Sequence, residues 1–151
     1  MKKPAASKSG SPRDLTLVRQ KLLRLAQSAM KNAYAPYSNF QVGAAIQLSD
    51  GRVFTGCNVE NASYGLTICA ERNAVFAAVA ASKKKIEIIA VAVLNHRKVP
   101  CSPCGACRQV LAEFGPEAVV WYLGADGVTQ RTMKELLVDG FALTPNVDAT
   151  R

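Results

Sequence analysis

Two short stretches, Cys69-Ala70-Glu71 and Pro103-Cys104-Gly105-Ala106-Cys107, constrain this chain more than any other feature. Cys104 and Cys107 lie three apart at the predicted start of a helix, so both can face one metal ion. Cys69 adds a third sulfur from a separate segment, and the fold must bring the two segments together. Tetrahedral zinc accepts thiolate sulfur readily, and three protein ligands leave its fourth position open for water. Glu71, two residues beyond the first thiol, is placed to move that water's protons. Pro103 suits the turn into the helix, where its missing N–H costs little.

A second arrangement uses the same residues. Cys101 precedes Cys104 by three, so Cys69, Cys101, Cys104 and Cys107 together can form a closed, purely structural four-cysteine site. Glu71 is then an ion-pair partner of its neighbour Arg72. Cys57, in a strand, reads as a small buried hydrophobe. His96, the single histidine, lies in a loop beside Arg97 and Lys98 and reads as an exposed residue that ligates nothing.

The 151 residues, 49% of them hydrophobic, suffice for one sizeable core and are expected to form a single domain over 13–145. Residues 1–12 read as a flexible basic tail and 146–151 as a C-terminal tail. No apolar run approaches the roughly 20 residues that span a bilayer. The basic N-terminus lacks the apolar core of a secretory signal. Five cysteines, three in metal-like spacing, favour a reducing, cytoplasmic compartment over a disulfide framework.

The net charge of +8 raises the question of nucleic acid, but its distribution argues against it. Lys2, Lys3, Lys8 and Arg13 supply half of it, and the rest of the chain holds 15 basic against 11 acidic side chains. Lys83-Lys84-Lys85 follows a helical segment and reads as a solvated helix end. A polynucleotide-binding groove needs stacking aromatics as well as charge, and aromatics make up only 7% of the chain.

Pattern predicts the elements. Ser11-Pro12-Arg13-Asp14 starts a helix whose apolar stripe runs through Leu15, Val18, Leu22, Leu25, Ala26, Ala29 and Ala33, up to Pro36. Two β-rich runs, 40–48 and 52–58, flank the hairpin signal Ser49-Asp50-Gly51. A helix follows from Cys69 to Ala81, a buried strand over 86–94, a helix over 105–114 and a strand over 118–123. Ala125-Asp126-Gly127 marks a turn with room for one more strand, and 133–138 a short helix. This order implies a layered α/β domain with a mixed sheet. Two helix starts then converge on one ion, and their positive ends favour thiolates. Three thiolates outweigh one Zn2+, so something must draw charge off the sulfurs. Arg72, and beside it Arg108, are the available cations.

At these residues the chain resembles the small cytidine deaminases. The resemblance includes Tyr34 to Ala45 (YAPYSNFQVGAA), Gly56 to Tyr64 (GCNVENASY), Cys69 to Arg72, Ser102 to Val110 (SPCGACRQV), and Glu135-Leu136-Leu137 with Phe141. It implies a three-layer α-β-α sandwich with a mixed sheet of about five strands. It also implies one Zn2+ per subunit on Cys69, Cys104 and Cys107, with Glu71 as proton shuttle and Arg72 hydrogen-bonded to thiolate. Phe40 is implied to pack against the pyrimidine. Asn58 and Glu60 would hydrogen-bond the ribose, and Ala70 and Ser102 belong to the substrate-binding set. Ala62, Tyr64 and Phe141 would reach a neighbouring subunit's substrate in a homotetramer. On spacing alone Phe40 and Phe141 are core aromatics, and Asn58 and Glu60 solvent-facing residues of a strand end.

The implied reaction is hydrolysis of cytidine and deoxycytidine to uridine and deoxyuridine with release of ammonia, in pyrimidine salvage. Two other readings stand beside it. One is a deaminase of blasticidin-type cytosine antibiotics, against which Ser38-Asn39-Phe40 and Asn58-Val59-Glu60-Asn61 speak. The other is a non-catalytic zinc module built on four cysteines.

Overall fold

In the computed structural model, residues 12–143 are described. The expected tails, 1–12 and 146–151, lie outside them except for Pro12, the first residue of helix α1 (Pro12–Met30). Ser11, expected to cap that helix, also lies outside.

Leu22 and Ala26, four apart on α1, are fully buried. The helix stops at Met30, short of Pro36. Tyr34 is drawn away from helical geometry: its N–H donates to the Asn58 carbonyl (3.0 Å), and its carbonyl accepts from the Glu60 N–H (2.8 Å).

The chain then forms the hairpin of β1 (Val42–Leu48) and β2 (Val53–Cys57). Its turn places Gly51 at φ +87°, a conformation open to glycine at no steric cost. The first strand begins two residues later than its β-rich composition predicts, because the Phe40 backbone bonds side chains instead of a strand. Its N–H donates to Ser38 Oγ and its carbonyl accepts from Asn58 Nδ2.

Helix α2 (Ala70–Ala80), strand β3 (Ile88–Asn95), helix α3 (Gly105–Phe114) and strand β4 (Val119–Gly124) follow. The turn at Gly127 leads into the further strand β5 (Gly127–Thr132). Thr132 then starts the one-turn helix α4 (Met133–Leu136) with a capping box closed by Glu135.

The five strands form one mixed sheet in the order β2-β1-β3-β4-β5, with β3 and β4 parallel and the other pairs antiparallel. Side chains alternate across it and build two cores. Ala44, Ile46 and Leu48 of β1, with Val91 and Val93 of β3, pack beside Ala74, Val75 and Leu111 of α2 and α3. Ala45, Ala90, Ala92 and Trp121 pack beside Leu22 and Ala26 of α1. The result is the three-layer α-β-α arrangement. Small residues dominate the α1 side, so that helix lies close to the sheet: a Cβ on Gly43 would stand 2.0 Å from the Ala26 carbonyl oxygen. The parallel step from β3 through α3 to β4 puts the start of α3 beyond the carboxyl end of β3, where open α/β sheets bind ligands.

Candidate active site

Cys69 and Cys104 occupy the N-cap positions of α2 and α3, both with extended backbone. Neither side chain caps its own helix, so both thiols are left to point outward. Three residues into α3, Cys107 turns onto the same side. The three sulfurs lie within 4.8 Å of one another. Tetrahedral zinc–thiolate bonds of about 2.3 Å set neighbouring sulfurs about 3.8 Å apart, and the Cys69–Cys104 sulfur separation is 3.9 Å. A soft, three-sulfur donor set of this size fits zinc. Cys101 stands outside the cluster, in an isolated bridge to Leu123.

The hydrogen bond from Cys107, with help from Arg72, brings the Cys69 thiol down to about 5. The same bond, together with burial, pushes Cys107 up. Arg72 Nη2 sits 3.5 Å from Cys69 Sγ and 3.4 Å from the Thr67 carbonyl oxygen, while its buried Nε finds no hydrogen-bond partner among the described residues. Arg108 does not share this place. Its guanidinium donates to the Pro103 carbonyl (2.7 Å), the Leu136 carbonyl (2.9 Å) and Ser102 Oγ (3.1 Å), bracing the entry to α3. A cation next to a cysteine in sequence reaches the sulfur only if the helix turn aims it there. Arg72 is aimed there and Arg108 is not.

Glu71, the second residue of α2, is only 4% exposed. Burial is the main cause that lifts its carboxyl to about 7, and the neighbouring Cys69 thiolate adds to it. It faces a cavity of about 390 Å3, within the range that small-molecule sites occupy. Cys69, Ala70, Cys101, Ser102, Cys104, Phe40, Asn58 and Glu60 also line that cavity.

Asn58 and Glu60 each have a local task as well. Asn58 is nearly buried; its Oδ1 accepts from the Val42 N–H and its Nδ2 donates to the Phe40 carbonyl, both at 2.8 Å. Glu60 accepts from the Tyr37 and Ser38 N–H groups (2.8 and 3.2 Å) and from the Ser38 hydroxyl. The Ser38 hydroxyl bond is the largest cause holding the Glu60 carboxyl below its ordinary range.

The remaining sequence candidates lie elsewhere in the chain. Tyr64 is 75% exposed and lines an adjoining cleft with Tyr37 and Thr67. Phe141 is 70% exposed in a different cleft, and its carbonyl accepts from Gln109 Nε2. Ala62 is exposed on the loop between β2 and α2. His96 is exposed and outside the sulfur cluster, and Cys57 is half-buried in β2.

Three residues that line the cavity, Ser38, Val42 and Thr67, have no site role assigned from the sequence. The bond from the Phe40 N–H to Ser38 Oγ is a local turn motif readable from spacing. Its bond to Glu60, 22 residues away, is not.

A mixed α/β sheet that carries three thiols on two helix starts, beside a buried carboxylate and an open cavity, defines the class of zinc-dependent hydrolytic deaminases. Comparison with known proteins narrows it. Residues 17–123 match the cytidine and deoxycytidylate deaminase zinc-binding region. A cytidine deaminase of Halalkalibacterium halodurans is 48% identical over 125 residues, covering 82% of this chain and 93% of the relative. The crystal structure of cytidine deaminase from Burkholderia pseudomallei superposes with a TM-score of 0.74 at 49% identity, covering 81% of this chain and 98% of that one. The Mycobacterium tuberculosis cytidine deaminase structure gives 0.72 at 42% identity, with 83% and 98% covered. The chain belongs to the cytidine and deoxycytidylate deaminase family.

Proposed function

We propose that this enzyme hydrolyses the 4-amino group of cytidine and deoxycytidine, releasing ammonia and uridine or deoxyuridine. The observation that carries the proposal is the buried Glu71 carboxyl facing a nucleoside-sized cavity together with the thiols of Cys69 and Cys104. Cys69, Cys104 and Cys107 would hold one Zn2+, which when bound supplies the Lewis acidity that makes water nucleophilic near neutral pH.

The chain's own residues do the rest. Glu71 takes a proton from the attacking water and passes it to N3 of the pyrimidine as C4 is attacked. It then takes the proton of the new C4 hydroxyl and hands it to the exocyclic amine; the C4–N4 bond breaks, C4=O forms, and ammonia leaves while the N3 proton stays with the product. A group that must both accept and donate works best with a pKa near the working pH, and burial brings Glu71 to about 7. Phe40 packs against the pyrimidine. Asn58 and Glu60 hydrogen-bond the ribose, using the lone pairs and donors left over from their backbone bonds. Ala70 and Ser102 form walls of the same cavity, and Arg72 draws charge off the Cys69 sulfur.

The proposal extends to a homotetramer in which Ala62, Tyr64 and Phe141 of one subunit complete a neighbour's site. Their exposure outside their own cavity supports this assignment. It places the enzyme in the cytoplasm and in pyrimidine salvage, and the five free thiols fit a reducing compartment.

The test is Glu71→Gln. This variant is expected to keep zinc, measured per chain by atomic absorption, and to lose roughly 100- to 10,000-fold in kcat on cytidine. Near wild-type turnover would remove Glu71 from the mechanism. Running cytidine, deoxycytidine and a blasticidin-type nucleoside side by side distinguishes the nucleoside enzyme from the antibiotic enzyme.

A further inference from the structure

We propose that Arg97 is a positioning residue for the Phe40 wall of the cavity. The inference rests on the proposed nucleoside-binding role of that cavity. Phe40 stands at the end of a segment, 37–41, that belongs to no strand or helix. One side of this segment is fixed from below: Ser38 is tied to Glu60, and the Phe40 carbonyl accepts from Asn58. The Asn39 N–H donates to the Ala35 carbonyl (3.0 Å), and the other side is held from the turn that follows β3. There Arg97 Nη2 donates to the Asn39 carbonyl (2.9 Å) and the Ser38 carbonyl (3.2 Å). The same guanidinium lies over the Phe40 ring, 5.6 Å from its centroid.

The turn that presents Arg97 is itself rigidly mounted. Asn95 is 3% exposed, and its side-chain amide bonds both the N–H and the carbonyl of Val99, at 3.2 and 2.7 Å. His96 exchanges two bonds with Gln41: its N–H donates to the Gln41 carbonyl and its Nδ1 accepts from the Gln41 N–H, both at 3.0 Å. These bonds, one to backbone and one to the imidazole, continue from the last β1–β3 pair, directly beside Phe40. Asn39, which Arg97 holds, has φ +49°, a left-handed conformation that asparagine adopts more readily than other non-glycine residues. Arg97 is one of the groups that fix it there.

Water can replace a donor to an exposed carbonyl. It cannot replace a cation held over a ring while one nitrogen of that same cation bridges two successive carbonyls. Losing Arg97 therefore leaves the fold intact and lets the Phe40 segment move. Ground-state binding of the nucleoside falls, while the proton transfers at Glu71 proceed as before.

The experiment compares Arg97→Ala and Arg97→Lys with wild type, all zinc-loaded. Arg97→Ala is expected to raise KM for cytidine and Kd for uridine, the latter by calorimetry, by roughly three- to tenfold. kcat should stay within about twofold and Tm within about 2 °C. Lysine keeps the charge but not the broad guanidinium over the Phe40 ring, and should recover part of the loss. Unchanged KM and Kd would overturn the proposal. A fall in kcat, zinc content or Tm in place of the KM effect would also overturn it, because that pattern marks a merely structural role. Amide hydrogen exchange over residues 39–41, measured without nucleoside, is expected to speed up in Arg97→Ala. An unchanged rate overturns the clamp whether or not the wild type deaminates cytidine, whereas an inactive wild type with a working clamp sinks the proposed function alone.

Discussion

Cys101 lines the cavity three residues ahead of Cys104, yet its sulfur is not in the cluster of three. Its backbone explains why: the Cys101 N–H donates to the Leu123 carbonyl (2.8 Å), which ties the residue to the end of β4 while Cys104 turns into α3. Burial pushes the Cys101 thiol up, and the nearby Glu71 carboxylate adds to the effect. Cys101→Val is therefore expected to retain one zinc per chain and turnover within roughly threefold of wild type, since a valine of similar size still fills the wall. Loss of the metal in that variant would restore the closed four-cysteine site as the better account. Spacing could not separate the two sites, because Cys-x-x-Cys-x-x-Cys offers each pair the same separation. Asn58 and Glu60 carry a similar lesson. On a strand end they read as solvent-facing, but their partners at Val42, Phe40, Tyr37 and Ser38 lie 16 to 23 residues away.

Among the elements, the contact of β2 with α2 bears most directly on the site. A Cβ on Gly56 would lie 2.4 Å from the Ala70 carbonyl oxygen and 2.5 Å from the Ala74 N, both backbone atoms. Ala70 sits between Cys69 and Glu71, so any shift of the helix moves that thiol and the carboxylate together. Gly56→Ala is expected to destabilise by roughly 1–3 kcal/mol, the usual cost of overpacking, and to weaken zinc retention. Thermal melts and zinc content after dialysis check this; a Tm within about 1 °C of wild type would mean the interface has slack. The interiors of the elements were legible from periodicity, and α3 runs over the predicted 105–114. The ends were less so. Where a helix or strand stops depends on which distant group claims the next backbone N–H or carbonyl, as at Tyr34 and Phe40.

On the scale of the whole molecule, the three sulfurs meet from segments that helix α2, strand β3 and two loops keep apart in sequence. Zinc bound there cross-links the starts of α2 and α3, so the folded state gains what the metal's affinity supplies. Stripping the metal with a strong chelator is expected to lower Tm by roughly 5–10 °C, with recovery on adding Zn2+ and little change on adding Mg2+. An unchanged Tm by calorimetry would argue against a site on these thiols. The chain by itself determined the candidate thiols, the carboxylate beside them and the alternation of helix and strand. Those depend on residue type and local spacing, and the chain states both directly. Tertiary structure alone decided that Cys101 stands apart, that Arg72 meets a sulfur while Arg108 braces the loop, and that Arg97 closes on Phe40. Each of these turns on where side chains from distant segments meet, and no local pattern encodes that.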